Sequence, residues 1–145
     1  MASFANQIRQ FNIDFSRLSN RVVRVATIKL FGRIVKVSPV DTGRFRANWF
    51  ATIGAASSQT SFTSQASESE VNSRIEAVIN GAAGANVFFL TNNLPYAEVI
   101  EFGGYGDGPK TVGGFSKQAP AGVVRITVME FSRLLDDNSA VLSTL

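Results

Sequence analysis

The sequence predicts one α+β domain, with a small antiparallel sheet packed against a long N-terminal helix and two further helices, and with long loops. Three observations predict it. Apolar residues recur at helical spacing over residues 1–37, a later stretch alternates apolar and polar residues, and two polar or glycine-rich segments interrupt the remainder. At 145 residues the chain has the length of a single domain. We divide it into this helix, an α+β core over 38–135 and a C-terminal tail over 136–145.

The N-terminal helix is predicted by an apolar stripe whose spacings alternate between four and three. The stripe consists of Phe4, Ile8, Phe11, Phe15, Leu18, Val22 and Val25. Beyond Ala26 the apolar positions move to another side of the helix. Either the helix breaks near Ala26, or its two halves pack on different partners, as in a helix that crosses a subunit boundary. Ser38 and Pro39 end the helix, because proline lacks an amide donor and restricts the residue before it.

The next elements are a strand, a loop and a second helix. Apolar and polar residues alternate over 45–53, which predicts a half-buried strand with Trp49 in the core. Residues 54–69 are mostly Ser, Ala, Thr and Gln, typical of an exposed loop or a flexible arm. Ser67 and Glu70 have the spacing of a capping box, so a short helix is expected to end near Gly81.

The second half of the chain begins with a short apolar run at 86–92, which predicts a buried strand. Pro95 is expected to open a single helical turn that carries Tyr96 to Glu101. Six of the twelve residues from Gly103 to Gly114 are glycine, which predicts a second, deformable loop.

A last helix is predicted from Pro120, although residues 123–128 also fit a strand. Its expected apolar face consists of Val124, Val128, Phe131 and Leu135. The tail over 136–145 is expected either to fray or to dock on a neighbour.

Composition argues against catalysis, because the chain contains neither cysteine nor histidine. These residues supply most zinc sites and most pairs of nucleophile and base. Glu98 and Glu101 are three residues apart, but no nucleophile or base accompanies them. The stretch GGYGDGPK lacks the order of a phosphate-binding loop. We therefore predict no enzyme, no catalytic residue, no metal and no cofactor. No apolar run is long enough to cross a membrane.

Charge is divided along the chain. Residues 1–46 contain nine basic and two acidic residues, whereas the remainder contains five basic and nine acidic residues. Opposite charges in the two parts favour head-to-tail contacts between copies, and we expect the basic helix to dock on an acidic surface of a neighbour. The alternative is a small nucleic-acid-binding protein that uses the basic part.

We expect Arg44 and Arg46 either to pair with Glu98 or Glu101, in the same or an adjacent copy, or to be solvated. The two loops, 54–69 and 103–118, are expected to contact other proteins. The candidate interface residues are Arg17, Arg21, Arg24, Arg44, Arg46, Glu98, Glu101, Tyr105, Lys110, Phe115 and Lys117.

Three stretches together resemble the tail completion proteins of long-tailed bacteriophages, also described as minor tail or neck proteins. They are SPVDTGRFRANW at 38–49, NNLPYAEVIEFGG at 92–104 and FSKQAPAGVVRITVMEF at 115–131. The residues that carry the resemblance are Asp41, Thr42, Gly43, Trp49, Asn92, Tyr96, Ala97, Glu101, Gly103, Gln118, Ala119, Pro120 and Gly122. A DTG triplet also occurs in aspartic proteases, but the hydrophobic strand that precedes it there is missing here.

The resemblance implies a non-catalytic virion protein at the head-to-tail junction, assembled in the host cytoplasm. It implies a homo-oligomeric ring of six copies that contacts the head connector or head-closure protein, the tail terminator and the tail tube. Packaged DNA would cross the ring without specific recognition. A tail terminator or another minor tail subunit is the alternative within this class.

Overall fold

The computed structural model describes residues 3–63, 65–82, 84 and 87–136, without the side chains of 11–19 and 134–136. Five helices and four strands follow one another over these residues. They are α1 (Phe4–Val37), α2 (Arg44–Ala47), β1 (Phe50–Ile53), α3 (Glu68–Asn80), β2 (Phe88–Thr91), α4 (Ala97–Phe102), β3 (Thr111–Val112), β4 (Phe115–Ser116) and α5 (Val124–Asp136).

The predicted α+β class is confirmed. Strands β1 and β2 pair antiparallel, with Phe50 opposite Thr91 and Ile53 opposite Phe88. Strand β1 packs on α3, which packs in turn on α1, and α5 packs on α1 as well. Strands β3 and β4 form a small hairpin of their own.

The hydrophobic core lies between α1, α3 and the segments that carry the three motif stretches. Its buried side chains include Phe31, Ile34, Val35, Phe45, Trp49, Val71, Ile75, Ile79, Leu94, Ile100, Ala119 and Val123. The predicted core position of Trp49 is confirmed, since 5% of this residue is exposed. Each large apolar side chain buried in this way contributes about 1.5–3 kcal/mol.

Helix α1 is continuous, so the predicted break near Ala26 is absent. Of the two alternatives, the unbroken helix is observed, and the packing of its first half on a different partner stays a prediction. Its second half supplies core residues, whereas every residue from 3 to 10 is exposed. The helix ends at Val37, as predicted, and the Ser38 hydroxyl donates to the Ile34 carbonyl at 2.7 Å. The same hydroxyl accepts from the indole Nε1 of Trp49 at 2.8 Å.

The predicted strand over 45–53 is wrong in its first half. Residues 44–47 form the helical turn α2, and the strand begins at Phe50. The buried residues Phe45, Asn48 and Trp49 have helical spacing, and the side chain of Asn48 donates to the Arg44 carbonyl at 2.8 Å. One helical turn followed by a short strand produced the alternation that we interpreted as a strand.

Three other predictions are corrected in part. The strand β2 exists, but its four residues are half-buried rather than buried. Helix α5 begins at Val124, after a turn that contains Pro120. Its buried position is Thr127, whereas Val128 is 45% exposed, and the side chain of Leu135 lies outside the described part. Residues 137–145 also lie outside it.

Candidate assembly surfaces

The turn at Asp41, Thr42 and Gly43 is joined to the third motif stretch. The backbone amide of Val40 donates to Oε1 of Gln118 at 2.7 Å, and Nε2 of Gln118 donates to the Val40 carbonyl at 3.0 Å. An exposed ion pair links Nζ of Lys110 to Oδ1 of Asp41 at 3.1 Å. The first and third stretches therefore form one connected unit.

Gly43 is required where this turn meets the 54–67 loop, the irregular segment before α3. Its φ of 84° suits glycine, and a Cβ there would lie 2.9 Å from the backbone nitrogen of Gln65. The amide of Gln65 donates to the Thr42 carbonyl at 2.9 Å. The close approach of two backbones explains why this position has no side chain.

The second stretch meets the third where Glu101 of α4 caps the N-terminus of α5. Its Oε2 accepts from the amides of Val123 at 2.8 Å and Val124 at 2.7 Å, and its Oε1 accepts from the amide of Arg125 at 2.9 Å. Nε of Arg125 donates to the same oxygen at 3.0 Å. A carboxylate is suited to this place, because the first amides of a helix lack partners within the helix and carry partial positive charge.

Burial of Glu101 by itself raises its pKa, but the hydrogen bonds from Arg125, Val123 and Val124 outweigh burial and hold the pKa below its ordinary value. The side chain is 13% exposed. Glu101 was predicted as an interface residue. Its carboxylate is instead engaged inside the chain, so its role in this structure is to join α4 to α5.

A cleft of about 620 Å³ opens beside the DTG turn. We call it the DTG cleft, and its lining includes Arg44, Phe45, Tyr96, Ile100, Tyr105 and Lys110. The guanidinium of Arg44 lies 5.2 Å from the ring centre of Phe62, a residue of the 54–67 loop that is 90% exposed. Burial raises the pKa of Tyr96, and the positive charge of Arg44 partly offsets this effect. The cleft is therefore apolar inside and basic at its rim.

A second, smaller cleft of about 180 Å³ lies between α4 and α5. The buried residues Trp49, Ile100 and Val123 line it, together with Glu98 and Phe102, which are exposed. We call it the α4–α5 cleft. Phe102 is 62% exposed, and the guanidinium of Arg125 lies 4.8 Å from its ring centre. This cleft is apolar with an acidic residue at its rim.

The expected pairing of Arg44 and Arg46 with Glu98 or Glu101 does not occur within the chain. Among the described residues, the ion pair of Glu101 is made with Arg125, and Glu98 has none. Arg24, another candidate, donates to the Ala82 carbonyl at 3.1 Å. Contacts inside the chain therefore hold several of the side chains expected to bind neighbours.

The other candidates are spread over the surface. Arg21 and Lys117 are exposed, Tyr105 lines the DTG cleft, and Phe115 is half-buried against Gly103. The side chain of Arg17 lies outside the described part. The structure thus groups Arg44, Tyr105 and Lys110 at one cleft and leaves Arg21 far along α1.

Two side-chain amides that the sequence did not indicate hold the 54–67 loop against the rest of the domain. Asn48 is fully buried; its Nδ2 donates to the Ser61 carbonyl at 3.0 Å, and its Oδ1 accepts from the Ser61 amide at 2.7 Å. Nδ2 of Asn93 donates to the carbonyls of Ser57 and Gln59. Of the two interpretations offered for this segment, the exposed loop is the one observed. Asn48 was expected to face solvent, since it is a polar residue in the alternating pattern over 45–53.

Comparisons of the sequence with models of protein families, with curated proteins and with solved structures found no match. Among the described residues, no helix has both the length and the hydropathy needed to cross a membrane. In the same part of the chain, no three acidic side chains lie close enough together to hold a metal ion.

Proposed function

We propose that this protein is a structural subunit of the bacteriophage head-to-tail junction, a tail completion protein that assembles as a ring and joins the head connector to the tail. The observation that carries the proposal is the convergence of the three motif stretches. Val40, directly before the DTG turn, donates to Gln118, and Glu101 accepts from the amide of Val123, directly after Gly122. If the fold is shared with the family that the sequence resembles, the three stretches that carry the resemblance are expected to contact one another. The hydrogen bonds between them agree with this expectation.

The first half of α1 supports assembly. A helix of 34 residues is about 51 Å long at 1.5 Å per residue. Phe4 and Ile8 remain 77% and 46% exposed near its N-terminus. These two exposed side chains add little to the stability of the helix, because helical stability comes mainly from packing the apolar face. We expect a neighbouring molecule to bury the side chains of Phe4 and Ile8.

The division of charge supports a head-to-tail arrangement. The basic part includes α1 and the DTG turn, and most acidic residues follow in α3, α4 and α5. A contact between two different surfaces closes into a ring when its rotation divides a full turn. The proposed ring has six copies, contacts the connector and the tail, and lets DNA pass without specific recognition. A tail terminator subunit would use the same surfaces and would differ in its position in the particle.

The test uses the full chain alone and mixed with tails assembled without it. We expect light scattering to show a defined ring, and electron microscopy to show added density at the head-proximal end of each tail. Density at the opposite end or along the tail would contradict the proposal. A monomer that does not bind tails would also contradict it. If that monomer bound DNA with an affinity that falls steeply with salt concentration, it would behave as a nucleic-acid-binding protein.

A further inference from the structure

We infer that the N-terminal end of α1 in one copy docks in the α4–α5 cleft of the next copy, with the ring of Phe4 in the cleft and Arg9 beside Glu98. The inference rests on the proposed function only for its premise that copies of this chain assemble. It names the two surfaces that meet.

The docking element is the exposed end of α1. Phe4 and Ile8 are four residues apart and therefore lie on one side of the helix, one turn from each other. Both are exposed, and the exposed Arg9 directly follows Ile8. Ser3 caps the helix by accepting from the amide of Asn6 at 3.2 Å, so helical structure extends to the end of the apolar stripe.

The core of the same copy, over the residues that the structure describes, lies too far away to provide the cover. Helix α1 is unbroken, and its packing on the core begins around Ile28. Residue 4 therefore lies about 36 Å from residue 28 along the helix axis at 1.5 Å per residue. A helix that does not bend cannot fold Phe4 back onto this described core, and the proposal assigns the cover to a second copy.

The receiving cleft has the size and lining for one aromatic ring. Its volume is about 180 Å³, and the buried residues Trp49, Ile100 and Val123 provide an apolar lining. For comparison, an apolar cavity of about 150 Å³ in another protein binds benzene. Glu98 and Phe102 at the rim are also four residues apart, which matches the spacing of Phe4 and Ile8 on the opposite helix.

Charge selects this cleft over the DTG cleft. Glu98 is exposed and has no ion pair among the described residues, so its carboxylate is free to meet Arg9. The nearby charge of Arg125 is already paired with Glu101. The DTG cleft instead has Arg44, Lys110 and Asp41 in its lining, and because Lys110 is paired with Asp41, the charge of Arg44 leaves the cleft net positive and would repel a basic helix.

Cross-linking tests the contact directly, because the native chain contains no cysteine. Two full-length single variants, Ala5→Cys and Phe102→Cys, are mixed under the conditions in which the wild type assembles, with tails added if assembly needs them. Ala5 is exposed and directly follows Phe4, so the first variant keeps the Phe4 ring. We expect a disulfide-linked dimer under mild oxidation. The matched control replaces Phe102→Cys by Phe62→Cys, an exposed phenylalanine that lies against Arg44 of the DTG cleft. A stronger cross-link to position 62, or none to position 102, would overturn the inference.

Charge reversal provides an independent readout. We expect Arg9→Glu and Glu98→Arg each to weaken assembly about fivefold, and a one-to-one mixture of the two to recover, because each then meets an opposite charge. Phe4→Ser should weaken assembly at least about tenfold. Wild-type assembly by all three variants would exclude this interface and leave the proposed function standing. A wild type that stays monomeric alone and with tails would remove both.

Discussion

Glu101 and Gly122 lie in direct contact, and this contact joins two of the three motif stretches. A Cβ at Gly122 would lie 2.5 Å from the carbonyl oxygen of Glu101 and 3.1 Å from its carboxyl carbon. The glycine lets the chain pass close to α4, so that the next three amides reach the Glu101 carboxylate. These two residues determine where α5 starts.

Glu101→Gln should lower the free energy of unfolding by about 1–3 kcal/mol, since the amides at the α5 N-terminus lose a charged acceptor. Urea denaturation followed by circular dichroism measures the change. Glu76→Gln is the control, because Glu76 is exposed and lies outside the proposed interface, and it should change stability by less than about 0.5 kcal/mol. Equal changes in the free energy of unfolding for the two variants would show that capping of α5 by Glu101 stabilises the fold no more than an exposed carboxylate does.

The stabilisation by Glu101 should depend on pH. Folding lowers the pKa of this carboxyl, so its contribution is complete above the unfolded value of about 4.3 and is lost as pH falls through the lower folded value. The difference in unfolding free energy between wild type and Glu101→Gln should therefore shrink below about pH 4. Denaturation curves from pH 7 to pH 3 measure it, and a difference that stays constant would contradict the assignment.

Gly122→Ala should destabilise the protein by at least about 1 kcal/mol, because φ is 83° and the new methyl group would meet Glu101. The matched control is Gly106→Ala, where φ is not positive and open space surrounds the Cβ position. That substitution should be neutral or should stabilise by up to about 1 kcal/mol. Thermal unfolding of both variants under the same conditions measures the effects. An equal unfolding temperature for the two would contradict the prediction.

Asn48→Ala should release the 54–67 loop. The substitution removes three hydrogen bonds of a fully buried side chain, and we expect a loss of about 2 kcal/mol. Limited proteolysis should then cut within the loop much faster. Asn93→Ala, an exposed residue that also holds this loop, should cost less than about 1 kcal/mol. Unchanged cleavage in Asn48→Ala would show that other contacts hold the loop.

Local pattern was sufficient for α1 and α3. The four-three spacing of the N-terminal stripe predicted α1, the capping box at Ser67 and Glu70 predicted the start of α3, and Ser38 ended α1 where expected. Each signal lies within a few residues, where steric and hydrogen-bonding rules act without knowledge of the fold. The alternation around Phe45 failed, because a single helical turn is too short to display its own period.

The sequence by itself determined the α+β class, the long helix with a face that changes near Ala26, and the division between basic and acidic parts. Only the tertiary structure decided which charged side chains are paired within the chain and which can contact another molecule. Glu101 and Arg24 bind partners 24 and 58 residues away along the chain, whereas Glu98 has no ion pair within the part of the chain that the structure describes. Such pairs depend on how segments far apart in the sequence pack together, and a pattern within a few residues contains no information about that packing.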